Sequence, residues 1–245
     1  MFRSTLPTLL VSALLAGTGL AADVPSKVVE KTLPLSATGR FVLETYKGRV
    51  TITASDREEA VVKATVTPDG SCDDAAELVA KTRIRIEGGG SEVRVVSDYD
   101  DLPRFRFDFG GDCASRPFVA YEIRVPRGAA LRLKDYKSRV SVAGVAGDVE
   151  LESYKGEVRL ERLAGKLDLE TYKGDVRADL ERVAPGLNVE TYKGDVDLVM
   201  PKGSKVDLHE DVGRRGRLES DVEVAHGAPR VSVRTFKGTI RLRTR

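Results

Sequence analysis

The chain has 245 residues, with 40 Lys or Arg against 38 Asp or Glu and a formal net charge of +2. That balance excludes both the basic footprint of a nucleic-acid binder and the acidic tail of a disordered solvating segment. A hydrophobic fraction of 41% supports a core, 32% charged residues keep that core thin, and the absence of Trp makes it aliphatic.

Residues 1–22 read as a secretory signal: Arg3 supplies the positive start, Leu6 to Leu15 a short apolar run, and Gly19-Leu20-Ala21 the small residues of a cleavage site. The run falls short of the ~20 residues a membrane span requires, and no second apolar run follows. The mature chain is therefore expected to be exported, to the periplasm or beyond the cell, without a transmembrane segment. Export places Cys72 and Cys113 in an oxidising compartment, where a single disulfide between them is the expected pairing.

A leader over residues 23–39 precedes one β-strand-repeat domain, 40–245, interrupted by an insert at about 71–118. In the first unit, Phe41, Leu43 and Thr45 alternate with Val42, Glu44 and Tyr46; Lys47-Gly48 turns the chain, and Val50 and Ile52 resume the alternation. Period two is the strand signature. Ala60–Thr67 is a further strand ended by Pro68-Asp69-Gly70. Within the insert, Cys72–Lys81 has room for one or two helical turns, and Thr82–Glu87 and Glu92–Ser97 flank Gly88-Gly89-Gly90 as a predicted hairpin. Phe105, Phe107 and Phe109 then share one face, as a plug for the open end of a stack would.

From Phe118 the pattern is regular. Tyr136, Tyr154 and Tyr172 follow one another at intervals of 18 residues, and Tyr192 comes 20 later. Each is followed by a lysine (Lys137, Lys155, Lys173, Lys193) and then by Gly, or once by Ser138; Tyr46-Lys47-Gly48 and Phe236-Lys237-Gly238 repeat the corner near the two ends. A fixed short period marks an architecture in which each unit buries its face against its neighbours. Val149, Leu151, Ser153, Val158 and Leu160 are predicted inward; Glu150, Glu152, Glu157, Arg159 and Glu161 outward. The copy expected near residue 212 is degenerate, Asp211-Val212-Gly213-Arg214-Arg215-Gly216. Arg241, Arg243 and Arg245 on the last strand read as charges guarding an exposed edge.

Two all-β architectures suit such units. In a parallel β-solenoid of roughly 18–20-residue two-strand repeats, equivalent residues stack ~4.8 Å apart. In an antiparallel β-meander or sandwich each corner is a hairpin turn. Recurrence of the same Tyr and Lys at one corner favours the solenoid, since a hairpin needs only the Gly.

The sequence resembles a family of exported bacterial adhesin-like proteins, a domain of unknown function made of β-strand repeats. The resemblance rests on the signal peptide, the opening Val50-x-Ile52 strand, the Val-Pro-x-Gly-x-x-Leu step at Val125–Leu131, and the Thr-x-x-Gly-Asp-Val turns at Thr171–Val176 and Thr191–Val196. It covers roughly residues 35–245. It implies a solenoid-like fold in the cell envelope and brings no catalytic residues.

No constellation of catalytic residues stands out. His209 and His226 lie in irregular segments. Glu152, Glu170 and Glu190 recur at equivalent outward positions, as in a solvated ladder, and not as the isolated pair of a glycosidase. A calcium ladder needs an acid at every turn, whereas the position of Asp175 and Asp195 is Arg49, Arg139, Glu157 or Thr239 elsewhere. No cofactor or metal is expected. The remaining candidate is the corner strip of Tyr154, Lys155, Tyr172, Lys173, Tyr192 and Lys193, suited to a cell-wall glycan or an envelope protein. The alternative role for the strip is internal, with rings stacking and lysines pairing with the Glu column. The expected function is a non-enzymatic envelope protein that binds or scaffolds; the alternative is a carbohydrate-active enzyme working on envelope glycans.

Overall fold

The structure, a computed structural model, describes residues 26–70, 74–102 and 116–245. The expected signal at 1–22, the Cys72–Cys113 disulfide and the Phe105, Phe107, Phe109 plug fall outside the described residues.

The described residues begin with a long strand, β1 (Lys27–Ser55), followed by β2 (Glu59–Thr67), a short helix α1 (Ala75–Lys81), β3 (Arg83–Asp98), β4 (Phe118–Pro126) and β5 (Ala130–Ala143). Three couples of short strands come next: β6 (Val149–Lys155) with β7 (Val158–Leu163), β8 (Leu167–Lys173) with β9 (Val176–Leu180), and β10 (Leu187–Lys193) with β11 (Val196–Met200). The chain closes with β12 (Lys205–Ser220), β13 (Glu223–Val224) and β14 (Arg230–Thr244).

The first strands of the couples pair in parallel, β6 with β8 and β8 with β10, so that Leu151 meets Leu169 and Leu169 meets Val189. The second strands do the same: Val158 meets Val176, which meets Val196. Two of the long strands belong to both sets. β5 pairs through Leu131–Lys137 with β6 and through Val140–Ala143 with β7, and β14 pairs with both β10 and β11. The pairing therefore closes in a ring, β5-β6-β8-β10-β14-β11-β9-β7 and back to β5. Among the described residues only β2 pairs antiparallel, with β1 and β4, so the meander expectation fails for the repeat region.

Alternation decides the facing. Leu151, Leu169, Val189, Val158, Val196, Leu160 and Leu198 are fully buried between the two sets of strands. Their pleat partners Glu170, Glu157 and Arg159 face solvent, as predicted. Each aliphatic side chain so buried contributes ~1.5–3 kcal/mol, and without aromatic bulk it lets neighbouring strands approach closely.

Two expectations at the ends are corrected. The predicted leader is strand from Lys27 onward, because Lys27–Pro34 pairs with β2. The predicted turn at Gly88-Gly89-Gly90 falls inside β3 and reverses the chain, since Arg83 and Arg85 before it both reach Asp98 after it. The second half of β3 finds a parallel partner in β1 (Val93 with Phe41, Val95 with Leu43). The three glycines, all at positive φ, make the turn that brings Arg83 and Arg85 to 3.3 and 3.4 Å from Asp98. Finally, β14 is an interior strand and no edge: it lies between β10 and β11 on one side and β12 on the other. The degenerate corner of β12 carries extra residues and shifts register between Val212 and Arg215, so the regular corner of β14 is the one that stacks on β10. The arginines meant as edge guards are ion-paired instead, Arg241 with Asp195 and Glu219, Arg243 with Asp197, and Arg245 with Asp179.

The same interruption occurs at the other end. β1 stacks directly on β5, Leu43 opposite Leu133 and Ile52 opposite Val142, although residues 56–129 lie between them in sequence. The described part of that excursion extends the sheet beyond β1. β3 and β4 pair along β1, β2 covers β4, and α1 buries Val79 against the core.

Candidate functional site

At every regular corner but the one at Tyr136 the inward strand residue is Ser or Thr, the next is the outward aromatic, then the lysine, then the tight Gly. Thr171, Thr191 and Thr235 are buried, while Tyr154, Tyr172, Tyr192 and Phe236 stand 37%, 39%, 45% and 50% exposed. Parallel register puts one ring on the next. Tyr46, Tyr136, Tyr154, Tyr172, Tyr192 and Phe236 form an unbroken file, with centroids 4.8–5.0 Å apart and planes within 3–7° of parallel. The ring faces are consumed by the file, so solvent meets ring edges and hydroxyl groups. A sugar has no free aromatic face to lie on along this row.

The file is terminated at its β1 end. Tyr99 meets Tyr46 edge-on at 6.1 Å, and the Arg116 guanidinium lies 4.3 Å above the Tyr46 centroid. Burial pushes the Tyr99 hydroxyl up to about 12. Beneath it, Thr45, Ser97 and the buried Tyr121 join in a chain of hydroxyls at 3.2 and 2.7 Å.

Stacking is the part of the strip with a calculable effect on stability. Replacing Tyr154, Tyr172 and Tyr192 together by Ser breaks four of the five stacked contacts, each worth ~0.5–1.5 kcal/mol beyond area. A melting curve of the variant is expected to shift down by about 5 °C or more.

The expected pairing of corner lysines with the Glu column is not what forms. The Glu side chains find partners in their own or adjacent columns: Glu44 with Arg94, Glu152 with Lys134, Glu190 with Arg234. Strand neighbours in register are closer than a lysine across the corner. Of the lysines, Lys47 is buried, ion-paired with Asp69 and set 4.6 Å from the Phe118 ring centroid. Among the described residues, Lys137, Lys155, Lys173, Lys193 and Lys237 enter no ion pair; Lys155 and Lys173 lie 5.4 Å from the ring centroids of their own tyrosines. The strip residues Tyr154, Lys155, Tyr172, Lys173, Tyr192 and Lys193 are thus brought together on one corner.

One residue the sequence reading passed over is Asp135. It occupies the inward position filled by Thr45, Ser153, Thr171, Thr191 and Thr235 in the other copies, and its copy is also the one with Ser138 in place of Gly. The two changes belong together, because the Asp135 carboxylate accepts the Ser138 backbone N–H at 2.8 Å and the Ser153 hydroxyl at 3.1 Å. Asp135 Oδ1 has no hydrogen-bond partner. The residue lies at the floor of an open cleft of about 520 Å³ shared with Tyr46, Tyr99, Arg116, Tyr136 and Tyr154. Burial raises its carboxyl above the usual range, against the pull of the Ser138 and Ser153 hydrogen bonds.

A raised folded-state value means stability that is present at low pH and lost as pH rises through it. Asp135→Asn is therefore expected to raise the melting temperature at pH 7 by about 2–4 °C if the charge costs ~1 kcal/mol. The gain should vanish near pH 4, which paired melting curves at the two pH values check. Asp98 has the opposite sign. The Asp100 backbone N–H, with Arg83 and Arg85, holds its carboxyl low, so its contribution fades as pH falls.

The acids after the corner glycines are engaged by backbone: Asp175 Oδ1 accepts the Asp195 N–H at 2.9 Å, and Asp195 Oδ1 the Thr239 N–H at 2.8 Å. His209 and His226 both face Asp207, at 3.6 and 4.0 Å, on the exposed side of β12. No helix among the described residues is long and apolar enough to cross a membrane.

Parallel strands, a corner repeated in register and an aliphatic interior define an all-β repeat protein. Residues 127–213 match the model of the Toastrack DUF4097 family, in keeping with the resemblance drawn from the motifs of this part of the chain. No curated protein matches the chain in sequence. Among solved structures, it is similar to a putative cell adhesion protein from Clostridium sporogenes ATCC 15579, at 13% identity and TM-score 0.45, over 89% of this chain and 100% of that one. A putative lipid binding protein from Parabacteroides distasonis ATCC 8503 matches at 10% identity and TM-score 0.31, over 88% and 96% of the two chains. A putative adhesin from Bacteroides fragilis NCTC 9343 matches at 13% identity and TM-score 0.31, over 89% and 97%. Likenesses this distant carry no conclusion about ligand or role.

Proposed function

We propose that the chain is a parallel β-solenoid of 18–20-residue two-strand units, exported to the cell envelope, where it binds or scaffolds envelope material without catalysing a reaction. Register offsets support the architecture: β6 to β8 and β7 to β9 pair at 18 residues, and β8 to β10 and β9 to β11 at 20. On this reading the closed ring of pairing arises because β5 and β14 each supply one strand to both walls of the coil. The observation that carries the functional reading is the corner strip. Its exposed Tyr-Lys pair recurs at Tyr154, Tyr172 and Tyr192, level after level, which suits an extended partner lying along the axis. A reaction centre concentrates unique groups at one point.

The test is co-sedimentation of purified protein with cell-envelope fragments, well below the melting temperature. Wild type is expected in the pellet, and the Tyr154, Tyr172, Tyr192→Ser variant, still folded by circular dichroism, in the supernatant. A folded variant that sediments like wild type would remove the strip as the binding surface.

A further inference from the structure

The corner lysines make a column of one charge sign. Lys47, Lys137, Lys155, Lys173, Lys193 and Lys237 are successive register partners, and Arg215 of β12 continues the file. Register partners lie ~4.8 Å apart between strands, and like charges directly opposite one another destabilise a sheet. The charged columns to either side also contain like-charge neighbours, but each carries both signs along its length. One runs Glu44, Lys134, Glu152, Glu170, Glu190, Arg234; the other runs Arg49, Arg139, Glu157, Asp175, Asp195. Five of the lysines have no counter-ion among the described residues, so the fold bears a repulsion that it does not relieve.

We propose that this lysine file binds a linear acidic polysaccharide, with carboxylates recurring along its length, laid parallel to the strand-stacking axis. The inference rests on the reading of the corner strip as an envelope-binding surface and names its ligand class. Width is the first reason. The file is one side chain across, bounded by Glu152, Glu170 and Glu190 on one side and by Asp175 and Asp195 on the other. An anionic bilayer would press those acids against its headgroups, whereas a single polymer chain fits between them. Period is the second. A sugar residue is about as long as the spacing between strands, so carboxylates along a glycan meet ammonium groups at level after level. Lysine suits such a match, being a point charge on a flexible stem that tolerates small differences of pitch. The third is the row of exposed phenol hydroxyls beside the lysines, which offers hydrogen bonds to sugar hydroxyls where no ring face is free.

The test uses the full chain and immobilised polygalacturonate, with polyphosphate, vesicles containing anionic phospholipid, and uncharged dextran as parallel arms. Binding to polygalacturonate is expected to be tightest and to weaken about tenfold or more between about 50 and 200 mM salt, by release of counter-ions. The variant with Lys137, Lys155, Lys173, Lys193 and Lys237 all changed to Gln should bind at least about 30-fold more weakly, while melting no lower than wild type because its repulsion is gone. Lys166→Gln with Lys202→Gln, exposed positions off the file, should bind as wild type. Undiminished binding by the five-Gln variant, a lowered melting temperature in it, or tighter binding to polyphosphate or vesicles would each overturn the proposal. If envelope fragments retain the protein but polygalacturonate does not, the ligand class alone is wrong; if neither retains it, the binding surface itself falls.

Discussion

Leu169→Asp is expected to leave no folded protein at room temperature. Leu169 is fully buried, with Leu151 and Val189 as its register partners above and below. Truncating a buried Leu costs ~2–5 kcal/mol, and an unpaired carboxylate in its place adds several more. Together these approach the ~5–15 kcal/mol that holds a domain folded. Glu170→Gln, one residue along, should leave the melting temperature unchanged or slightly raised. Glu170 is exposed between the like charges of Glu152 and Glu190, with no ion pair among the described residues. Circular dichroism and gel filtration of the two variants decide the matter; comparable losses would mean that the facing of β8 is misassigned.

Gly174→Ala should be nearly as damaging, for a reason unrelated to the core. A Cβ at Gly174 would fall within the van der Waals envelope of the Gly156 carbonyl oxygen, and one at Gly194 would do the same to Gly174. The obstacle is backbone, which cannot rotate away, so the cost should exceed the ~3 kcal/mol reached by ordinary overpacking. Gly203→Ala provides the comparison. Gly203 has φ of +75° but nothing within 4 Å of an added Cβ, so only the ~1–2 kcal/mol of left-handed backbone is at stake. Denaturant midpoints should separate the two variants clearly, and equal midpoints would show that the corners do not stack as closely as described.

Much of the repeat was legible because its signals are local. Period-two alternation assigned Leu151, Leu169 and Val189 inward and Glu170 outward, and the recurring Tyr-Lys-Gly located the corners. What the sequence left hidden is non-local. All copies of the corner look alike, so nothing in the residues says that 40–53 stacks on 130–143 across a long excursion, or that 230–244 enters between the coil of β10 and β11 and the strand β12. The charge partners were misassigned because Glu170 and Lys173 are close in sequence, whereas the pairing is decided across strands, where Lys134 faces Glu152 and Arg234 faces Glu190. Asp135 could have been found by aligning the corners, where it replaces Ser or Thr in the one copy that also loses its Gly. Tyr99 and Arg116, which close the ring file, carry no repeat signature.

The interior position of β14 also sets a timetable. A chain that emerges end-first, from a ribosome or through a translocation channel, produces β12 before the only long strand that can hold it. Until β14 follows, the stretch of β12 from Asp207 to Ser220 lacks the strand it pairs with. At the other end β1 appears first but waits for β5 across the residues between them. Winding strictly in chain order therefore cannot complete the pairing of β1 or of β12, and such non-local pairing folds slowly. Closure of the ring waits for β14, and an intermediate that lacks it leaves the partner edges of β10, β11 and β12 uncovered.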